Sequence, residues 1–450
     1  MKKIATLLLV LVFLAGCATA DKTINIEEKI VVEGCGSCSD GSDDNKTSSC
    51  KEKMVVKPGI EVLRENGFDV LKGKRVGLIT NATGIDSELK STIDILWEAP
   101  EVNLVALYGP EHGVRGEFDA GAYVSDYRDE QTGLPVYSLY GKTRVPTEEM
   151  LKGIDVFVYD IQDIGCRSYT YISSMGNVMS AAAEKGIEVV ILDRPNPLTG
   201  NKIEGNVAEE GFFSFVSAFP IPYVYGLTPG EVALMINDQG WLTTDKKCKL
   251  TVVPMKGWKR NMTFEDTGLP WVPTSPHIPH AYSAAYYVAT GVLGELGVVS
   301  EGVGYTLPFQ VMAAEWIDNP FELAVRMNAI GLKGIKFRPV VFQPFYRKDQ
   351  GKTLKGIQLH FTDFEKTELM YIQFRFLEIL HEMYPDVDVL NVNPHRHRMF
   401  DQVCGTDAVR KKFGERYKFE DIQPILEKDI ESFRELSKKY YLYSVAGSEF

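Results

Sequence analysis

The amino-acid sequence predicts a doubly wound α/β domain with a parallel sheet, followed by a smaller α+β domain. Two observations carry the first part of this prediction: four short runs of β-branched and apolar residues recur along the chain, and amphipathic helical stretches separate them. Because the runs are apolar almost throughout, each strand should be buried on both faces, as in a parallel sheet. We predict residues 55–300 for the first domain and residues 301–450 for the second.

Each predicted strand ends in polar or glycine-rich residues. In open α/β sheets, ligands bind outside the carboxyl ends of the strands, so these segments are expected to form one polar cleft. The four runs and the segments that follow them are Arg75–Ile79 with Thr80–Gly84, Asn103–Leu107 with Gly109–Gly113, Asp155–Tyr159 with Asp160–Gly165, and Glu188–Leu192 with Asp193–Pro197.

Helical patterns lie between and after these strands. Ser87–Trp97 is expected to be a helix with Leu89, Ile93 and Leu96 on one face, and Tyr171–Lys185 a second helix. The remaining signals are a capping box at Thr228–Glu231, a helix start at Asn319–Glu322, strands over Ile335–Phe345 and Gly356–Phe361, and amphipathic helices near 364–383 and 420–440.

The N-terminus has the pattern of an export signal. Lys2 and Lys3 precede the apolar run Ile4–Leu14, and Leu14-Ala15-Gly16-Cys17 has the form of a bacterial lipobox. We therefore expect residues 1–16 to be a cleaved lipoprotein signal peptide and Cys17 to anchor the exported protein by lipid to the outer membrane or cell surface. The alternative is an ordinary signal peptide followed by a chance cysteine. Residues 17–54, rich in glycine, serine and aspartate, are predicted to be a flexible tether.

The net charge of the chain and the absence of three motifs argue against several classes of protein. The formal net charge is −12 and the chain has no long run of lysine or arginine, which argues against a nucleic-acid partner. The sequence lacks the dinucleotide-binding G-x-G-x-x-G motif after its first strand, the P-loop and the G-x-S-x-G of α/β-hydrolases. The remaining inventory of Asp, Glu, Arg, Asn and Tyr at strand ends fits a carbohydrate ligand, with no cofactor.

Three motifs hold the candidate catalytic groups. In G-P-E-H-G, Glu111 and His112 share a tight turn, the alternative being a structural turn whose glutamate caps a helix. In the segment that follows the third strand, Asp160 and Asp163 stand near Arg167, and for Asp160 a structural ion pair is the favoured interpretation. In D-R-P-N-P, a turn role and hydrogen bonding to substrate hydroxyls are equally plausible.

One loop has a pattern that is also found in metal sites. His277 and His280 stand three residues apart on the proline-stiffened loop Thr274–His280, as zinc ligands do in some proteins. No third ligand stands at a recognisable spacing, so we predict no metal site.

Taken together, these motifs resemble a known family. T-N-A-T-G, G-P-E-H-G-x-R-G, S-L-Y-G, D-I-Q-D-I-G-x-R-x-Y-T-Y, D-R-P-N-P, G-L-T-P-G-E and P-T-S-P-H-I-P occur here in the order seen in NamZ-like exo-β-N-acetylmuramidases. The resemblance covers about residues 56–443. It implies a Rossmann-like domain plus a smaller C-terminal domain, and removal of N-acetylmuramic acid from the non-reducing end of peptidoglycan fragments. Many members have Arg-His where this chain has Val224-Tyr225, and an arginine at Val303, which bears on recognition of the lactyl carboxylate.

The resemblance and the motifs together give the predicted site. Glu111, matched to the family motif, is the expected catalytic carboxylate, assisted by His112 and Asp163. A lipid-anchored glycan-binding protein without turnover is the alternative function. The predicted substrate-binding residues are Asn81, Arg167, Tyr171, Asp193, Arg194, Asn196, Ser275, His277 and Glu295.

Overall fold

A computed structural model describes residues 55–111, 113–116 and 126–444, all of which belong to one compact unit. A mostly parallel seven-stranded sheet dominates the first part of these residues, in the spatial order β3-β4-β2-β1-β5-β6-β7. Only the pairing of β3 with β4 is antiparallel. The strands are β1 (Arg75–Thr80), β2 (Asn103–Gly109), β3 (Tyr127–Arg128), β4 (Pro135–Ser138), β5 (Val156–Asp160), β6 (Glu188–Leu192) and β7 (Lys249–Val253).

Helices cover both faces of this sheet. Along β5, Val156 and Val158 point into one apolar layer, whereas Phe157 and Tyr159 point into the other. Since all four side chains are fully buried, the prediction of a parallel sheet buried on both faces is confirmed. The helices of this part are α1 (Gly59–Glu65), α2 (Thr92–Glu98), α3 (Glu148–Leu151), α4 (Tyr171–Lys185), α5 (Pro229–Asp238) and α6 (Ser283–Gly294).

Helix α4 begins and ends, and helix α5 begins, as the sequence predicts. Helix α4 spans Tyr171–Lys185 and ends at Gly186, whose φ of 70° is the left-handed conformation that glycine adopts without strain. Helix α5 has the predicted capping box, in which Thr228 and Glu231 satisfy each other's backbone N–H groups.

The helix predicted at Ser87–Trp97 starts later than expected. Ser91 caps α2 by accepting a hydrogen bond from the amide of Ile93, so the helix begins at Thr92. Leu89 lies in the preceding turn with φ 66° and is 60% exposed. The prediction that Leu89 shares a buried face with Ile93 and Leu96 is therefore wrong.

The last part of the chain forms a smaller α+β arrangement. Three antiparallel strands lie in the order β8-β10-β9 and share an apolar core with the surrounding helices. The fold class, a doubly wound sheet followed by a smaller α+β part, is thus confirmed. These elements are β8 (Val311–Ala314), α7 (Pro320–Ala329), β9 (Ile335–Phe342), β10 (Leu354–Phe361), α8 (Leu369–Met383), α9 (His397–Cys404), α10 (Ala408–Arg416), α11 (Phe419–Glu427) and α12 (Ile430–Ser437).

Local turns shorten the predicted elements here. The helix expected near 364–383 begins at Leu369, because residues 363–367 form a turn in which the Thr367 hydroxyl donates to the carbonyl of Asp363. The helix expected near 420–440 is interrupted between α11 and α12. Short 3-10 helices in the described residues lie at Asp69–Leu71, Glu265–Thr267, Pro394–Arg396 and Lys438–Tyr440.

The contacts of helix α6 bear on the predicted domain boundary. Helix α6, which precedes the predicted boundary at residue 300, packs against α8 in the core of the last part. The domain limits remain a prediction.

In the described residues, no helix combines the length and apolarity that crossing a bilayer requires.

Candidate active site

A tight turn at the carboxyl end of β2 presents Glu111. The turn is closed by a hydrogen bond from the amide of Gly113 to the carbonyl of Pro110, with an N···O distance of 3.2 Å. Gly113 adopts φ 79°, and a side chain on Gly109 would meet the backbone of Gly113 at 3.2 Å. The flanking glycines therefore permit a turn this tight, and Glu111 stands half-buried at its corner.

Glu111 lines a cavity of about 500 Å³. Its walls come from the segments after β2, β4 and β5, from the loop at 214–216, and from helices α6 and α9 in the C-terminal half. This volume suits a sugar unit, and the carboxyl ends of parallel strands are where α/β sheets bind ligands. The lining residues are Glu111, Tyr140, Arg144, Ser168, Tyr169, Thr170, Tyr171, Ser214, Phe215, Val216, Ser275, Tyr287, Met399 and Gln402.

Tyr140 is the immediate partner of Glu111. Burial, and then the negative charge and hydrogen bond of Glu111, raise the pKa of Tyr140 to about 12. The phenol is therefore neutral at physiological pH and donates a hydrogen bond to the Glu111 side chain. Tyr140 thus holds the Glu111 side chain in the cavity.

Three tyrosines form an aromatic wall of the same cavity. The rings of Tyr169 and Tyr171 meet edge to face at 5.1 Å, and those of Tyr169 and Tyr287 at 5.8 Å. Hydrogen bonds fix the wall, since Tyr169 donates to the hydroxyl of Thr274 at 2.7 Å and Tyr171 donates to the Thr274 carbonyl. A rigid wall with polar edges is typical of pockets that bind an organic ligand.

Asp163 lies buried behind this wall. Its Oδ1 accepts hydrogen bonds from the amide of Gly165 at 2.8 Å and from the hydroxyl of Tyr225 at 2.9 Å. Its Oδ2 is buried and has no hydrogen-bond partner among the described residues. Burial raises the pKa of Asp163 to about 6.

Asp163 and Glu111 are electrostatic neighbours. The negative charge of each contributes to raising the pKa values of Tyr169 and Tyr171, after the larger effect of burial. The two carboxyl groups that the sequence singles out therefore both lie near the same pair of tyrosines.

Arg167 has a structural environment. It is fully buried, and its guanidinium donates to the Ser217 hydroxyl at 3.0 Å and to the carbonyls of Asn206, Ile221 and Val403 at 2.8, 2.6 and 3.1 Å. Ser217 closes the turn that carries three lining residues of the cavity, and Val403 lies in α9. Arg167 therefore joins cavity walls from both halves, and this geometry favours a positioning role over the predicted contact with substrate.

Asp160 forms the predicted structural ion pair, and its partner is Arg194. The guanidinium of Arg194 donates to both carboxylate oxygens of Asp160, with an Nη2–Oδ2 distance of 2.9 Å. Thr92 also donates to Asp160, and Arg194 donates to the carbonyl of Ile85 at 2.7 Å. Arg194 thus links strand-end loops and does not line the cavity.

The other buried polar residues predicted to bind substrate also bond within the protein. Asn81 Oδ1 accepts from the amide and hydroxyl of Thr83. Asn196 bonds to the amide of Leu198 and the carbonyl of Leu227, each at 2.9 Å. Asp193 accepts hydrogen bonds from Thr228, Gly230 and Tyr443, and burial raises its pKa to about 7. These contacts shape the loops behind the cavity.

The remaining predicted residues divide between the cavity and its surroundings. Tyr171 and Ser275 line the cavity with Glu111. His277 Nε2 bonds to the hydroxyl of Tyr346 at 2.7 Å, and Glu295 is paired with Arg396 at 2.6 Å; neither lines the cavity. His112 and Cys17 lie outside the described residues. Within the described part of the chain, no three His, Cys, Asp or Glu side chains are grouped as metal ligands would be.

Most residues of the cavity wall could not be predicted from the sequence. Tyr140 stands in S-L-Y-G and Tyr169 in the tyrosine-rich motif, so their motifs were visible although their roles were not. Arg144, Phe215, Met399 and Gln402 carry no motif signal, and only the folded chain brings them together. A larger cavity of about 700 Å³ lies between residues 199–205 and helices α8, α11 and α12, and it contains none of the predicted site residues.

Comparison with known proteins agrees with this architecture. Two family models match the chain: the N-terminal part of exo-β-N-acetylmuramidase NamZ over residues 76–282 and its C-terminal part over residues 285–443. The peptidoglycan β-N-acetylmuramidase NamZ of Bacillus subtilis strain 168 is 43% identical over 415 residues, which cover 92% of this chain and 97% of that protein.

Two crystal structures of DUF1343 family proteins from Bacteroides fragilis NCTC 9343 share the fold. One is 56% identical, with a TM-score of 0.83, over 87% of this chain and 100% of the other. The second is 30% identical, with a TM-score of 0.68, over 87% of this chain and 99% of the other. On the strength of the two family models and the relative from Bacillus subtilis, this chain belongs to the NamZ exo-β-N-acetylmuramidase family of glycoside hydrolases.

Proposed function

We propose that this protein releases N-acetylmuramic acid from the non-reducing end of peptidoglycan fragments, with Glu111 as the general acid. The observation that carries the proposal is the position of Glu111, at a strand's carboxyl end, in a cavity with an aromatic wall and a volume of about 500 Å³. Membership of the NamZ family and the name of the Bacillus subtilis relative support the substrate class.

The chemistry requires a proton donor at the glycosidic oxygen. An alkoxide is a poor leaving group, and a carboxylic acid held in a partly dry site can protonate the departing oxygen. Glu111 is half-buried, and Tyr140 restrains its side chain by a hydrogen bond. Glu111 therefore approaches the bond from the cavity wall while the tyrosine-lined side holds the sugar.

Asp163 is proposed to assist Glu111 as a buried negative charge. Burial raises the pKa of Asp163 to about 6, so this carboxyl group is largely ionised at neutral pH. Paired carboxyl groups with separated proton affinities are the usual arrangement in glycoside hydrolases. His112, the neighbour of Glu111 in the sequence, is a second candidate for this role.

The test is the nearly isosteric Glu111→Gln variant of the full-length protein. Removing a general acid typically lowers the rate by about 10²–10⁴-fold and leaves ground-state binding largely intact. We expect a loss in this range on a disaccharide with N-acetylmuramic acid at its non-reducing end, with little change in affinity for the free sugar. The rate of hydrolysis of a 4-nitrophenyl glycoside should decrease less, because 4-nitrophenolate leaves without protonation.

A matched control is Glu149→Gln, since Glu149 is exposed on α3, away from the cavity. That variant should keep the parent rate on both substrates. Unchanged hydrolysis of the natural disaccharide by Glu111→Gln would refute the assignment and make Asp163 the leading acid.

We also propose that the enzyme is exported and held to the cell envelope by lipid on Cys17. The lipobox Leu14-Ala15-Gly16-Cys17, with its preceding basic and apolar segments, supports this localisation. Several acyl chains anchor a protein stably, whereas one chain binds weakly. Changing Cys17 to Ser should move the protein from the membrane to the soluble fraction, whereas Cys35→Ser should not. Continued sedimentation of the Cys17→Ser protein with membranes would contradict the anchor.

A further inference from the structure

The cavity around Glu111 has a fixed positive charge on its wall. Arg144 lines the cavity, and its guanidinium lies over the ring of Phe215, with 4.2 Å from Cζ to the ring centroid. Its carbonyl accepts a hydrogen bond from Asn177 at 3.0 Å, which fixes the backbone of the loop after β4. Contact with an aromatic face orients an arginine while leaving its edge N–H groups available to a ligand.

The positive charge of Arg144 also acts on Tyr140, the partner of Glu111. Its positive charge opposes the increase in the pKa of Tyr140 that burial and Glu111 cause. A cation, a carboxylate and a phenol therefore share one side of the cavity. Among the lining residues, Arg144 is the sole lysine or arginine, and the undescribed residues between Glu111 and Asp126 contain neither type.

A buried hydroxyl lines the same cavity and precedes in sequence the aromatic residue that Arg144 contacts. Ser214, which precedes Phe215, lines the same cavity, and its Oγ is buried without a hydrogen-bond partner among the described residues. Backbone hydrogen bonds between Ser214 and Ser217, at 3.0 and 3.1 Å, hold this turn in place. A buried donor without a partner is costly, so a ligand oxygen would satisfy it.

The positions that depart from the family pattern do not supply charge here. Val224 is fully buried, where it pairs with the backbone of Cys166 and Glu204. Val303 lines a different cavity, of about 400 Å³, with Arg347 and Arg396. Recognition of a negative group in the Glu111 cavity therefore falls to Arg144 and not to these two positions.

N-Acetylmuramic acid differs from N-acetylglucosamine by a lactyl ether, which carries a carboxylate. We propose that Arg144 binds this carboxylate, with Ser214 as a second donor, and so makes the enzyme select muramic acid over glucosamine. The inference rests on the proposed function. Arginine suits the role because its planar fork can hold a carboxylate through two parallel N–H···O bonds.

The experiment compares Arg144→Gln with the parent, both as full-length protein, on three chromogenic substrates. These are 4-nitrophenyl N-acetylmuramide, the methyl ester of its lactyl group, and 4-nitrophenyl N-acetylglucosaminide. Arg144→Gln should lower kcat/KM for the muramide about 10- to 100-fold, the usual effect of losing a charged hydrogen bond. Activity on the two uncharged substrates should stay within about twofold of the parent.

The control is Lys142→Gln, which removes a positive charge from the same exposed loop at a residue that does not line the cavity. It should leave kcat/KM unchanged on all three substrates. Equal losses of Arg144→Gln on the charged and uncharged muramides would overturn the proposal, because a structural role of Arg144 does not depend on the substrate's charge. Equal activity of the parent on the acid and its ester would also overturn it. No hydrolysis of any muramide by the parent would instead refute the proposed function itself.

Discussion

Replacing Asp163 by Asn should make the folded protein more stable and less active. The side chains have nearly the same shape, and the amide oxygen can still accept hydrogen bonds from Gly165 and Tyr225. The amide nitrogen takes the place of Oδ2, which already has no partner in the described residues. The variant therefore removes a buried charge and leaves the other contacts in place.

The magnitude follows from the proton affinity of Asp163. Its pKa is about 6 in the folded protein and 3.8 in solvent, because burial disfavours the charged form. Below pH 3.8 both states hold the proton, so this group does not affect the free energy of unfolding. As pH rises from 3.8 through 6, the folded state binds more protons than the unfolded state and loses about 3 kcal/mol of stability. The Asp163→Asn variant would avoid this loss.

Urea denaturation of the parent and Asp163→Asn at pH 4 and pH 8 measures the effect. The variant should exceed the parent by about 3 kcal/mol at pH 8 and match it near pH 4. Asp245→Asn, at an exposed turn, is the control and should stay within about 0.5 kcal/mol of the parent at both pH values. A difference that does not depend on pH would refute the reasoning.

The same variant should change the pH dependence of catalysis. If the reaction requires ionised Asp163, kcat/KM of the parent should rise with pH through an apparent pKa of about 6. Asp163→Asn should lose this acid limb together with most of the rate at neutral pH. An unchanged pH profile of kcat/KM would show that the Asp163 carboxyl group takes no part in the reaction.

Two further predictions concern cofactors and the frame of the cavity. Exhaustive chelation should leave hydrolysis of the muramide largely intact, because the proposed chemistry uses carboxyl groups alone; a loss that zinc restores would instead make His112, His277 and His280 candidate ligands. Arg167→Met should lower the free energy of unfolding by more than about 3 kcal/mol, because it leaves the Ser217 hydroxyl and buried carbonyls without a donor. Unchanged unfolding in urea with lost activity would assign Arg167 to the substrate after all.

The central strands could be predicted because their signal is local. Each of β1, β2, β5 and β6 is apolar along nearly its whole length, and each begins within one residue of the predicted run. The peripheral strands could not be predicted in this way. β7 lies at the edge of the sheet, where its side chains alternate between exposed and half-buried, and β3 is two residues long. Such strands form because a neighbouring strand offers unpaired backbone groups, which the sequence alone does not reveal.

The residues of the candidate site also divide into those with a local signal in the sequence and those without one. Glu111 could be placed because a glycine-flanked turn after a buried strand has few possible orientations. Asp193, Arg194 and Asn196 occupy the same edge of the sheet, yet their side chains hold loops together. Position along the chain gives the edge of the sheet but not the direction of the side chain. Arg144 and Gln402 reach the cavity from an irregular loop and a distant helix, so neither had a local signal.

The two arginines of the site illustrate why residue type does not decide function. Arg167 stands in the longest motif, but its fully buried guanidinium donates to a hydroxyl and to backbone carbonyls from both halves of the fold. Arg144 has no motif, but it lies at the cavity with its guanidinium against an aromatic ring. Arg167 helps to orient Arg144. It bonds to Ser217, which closes the turn that carries Phe215, and the ring of Phe215 contacts the Arg144 guanidinium. A substitution at Arg167 should therefore affect every substrate, whereas one at Arg144 should affect only those with a negative charge.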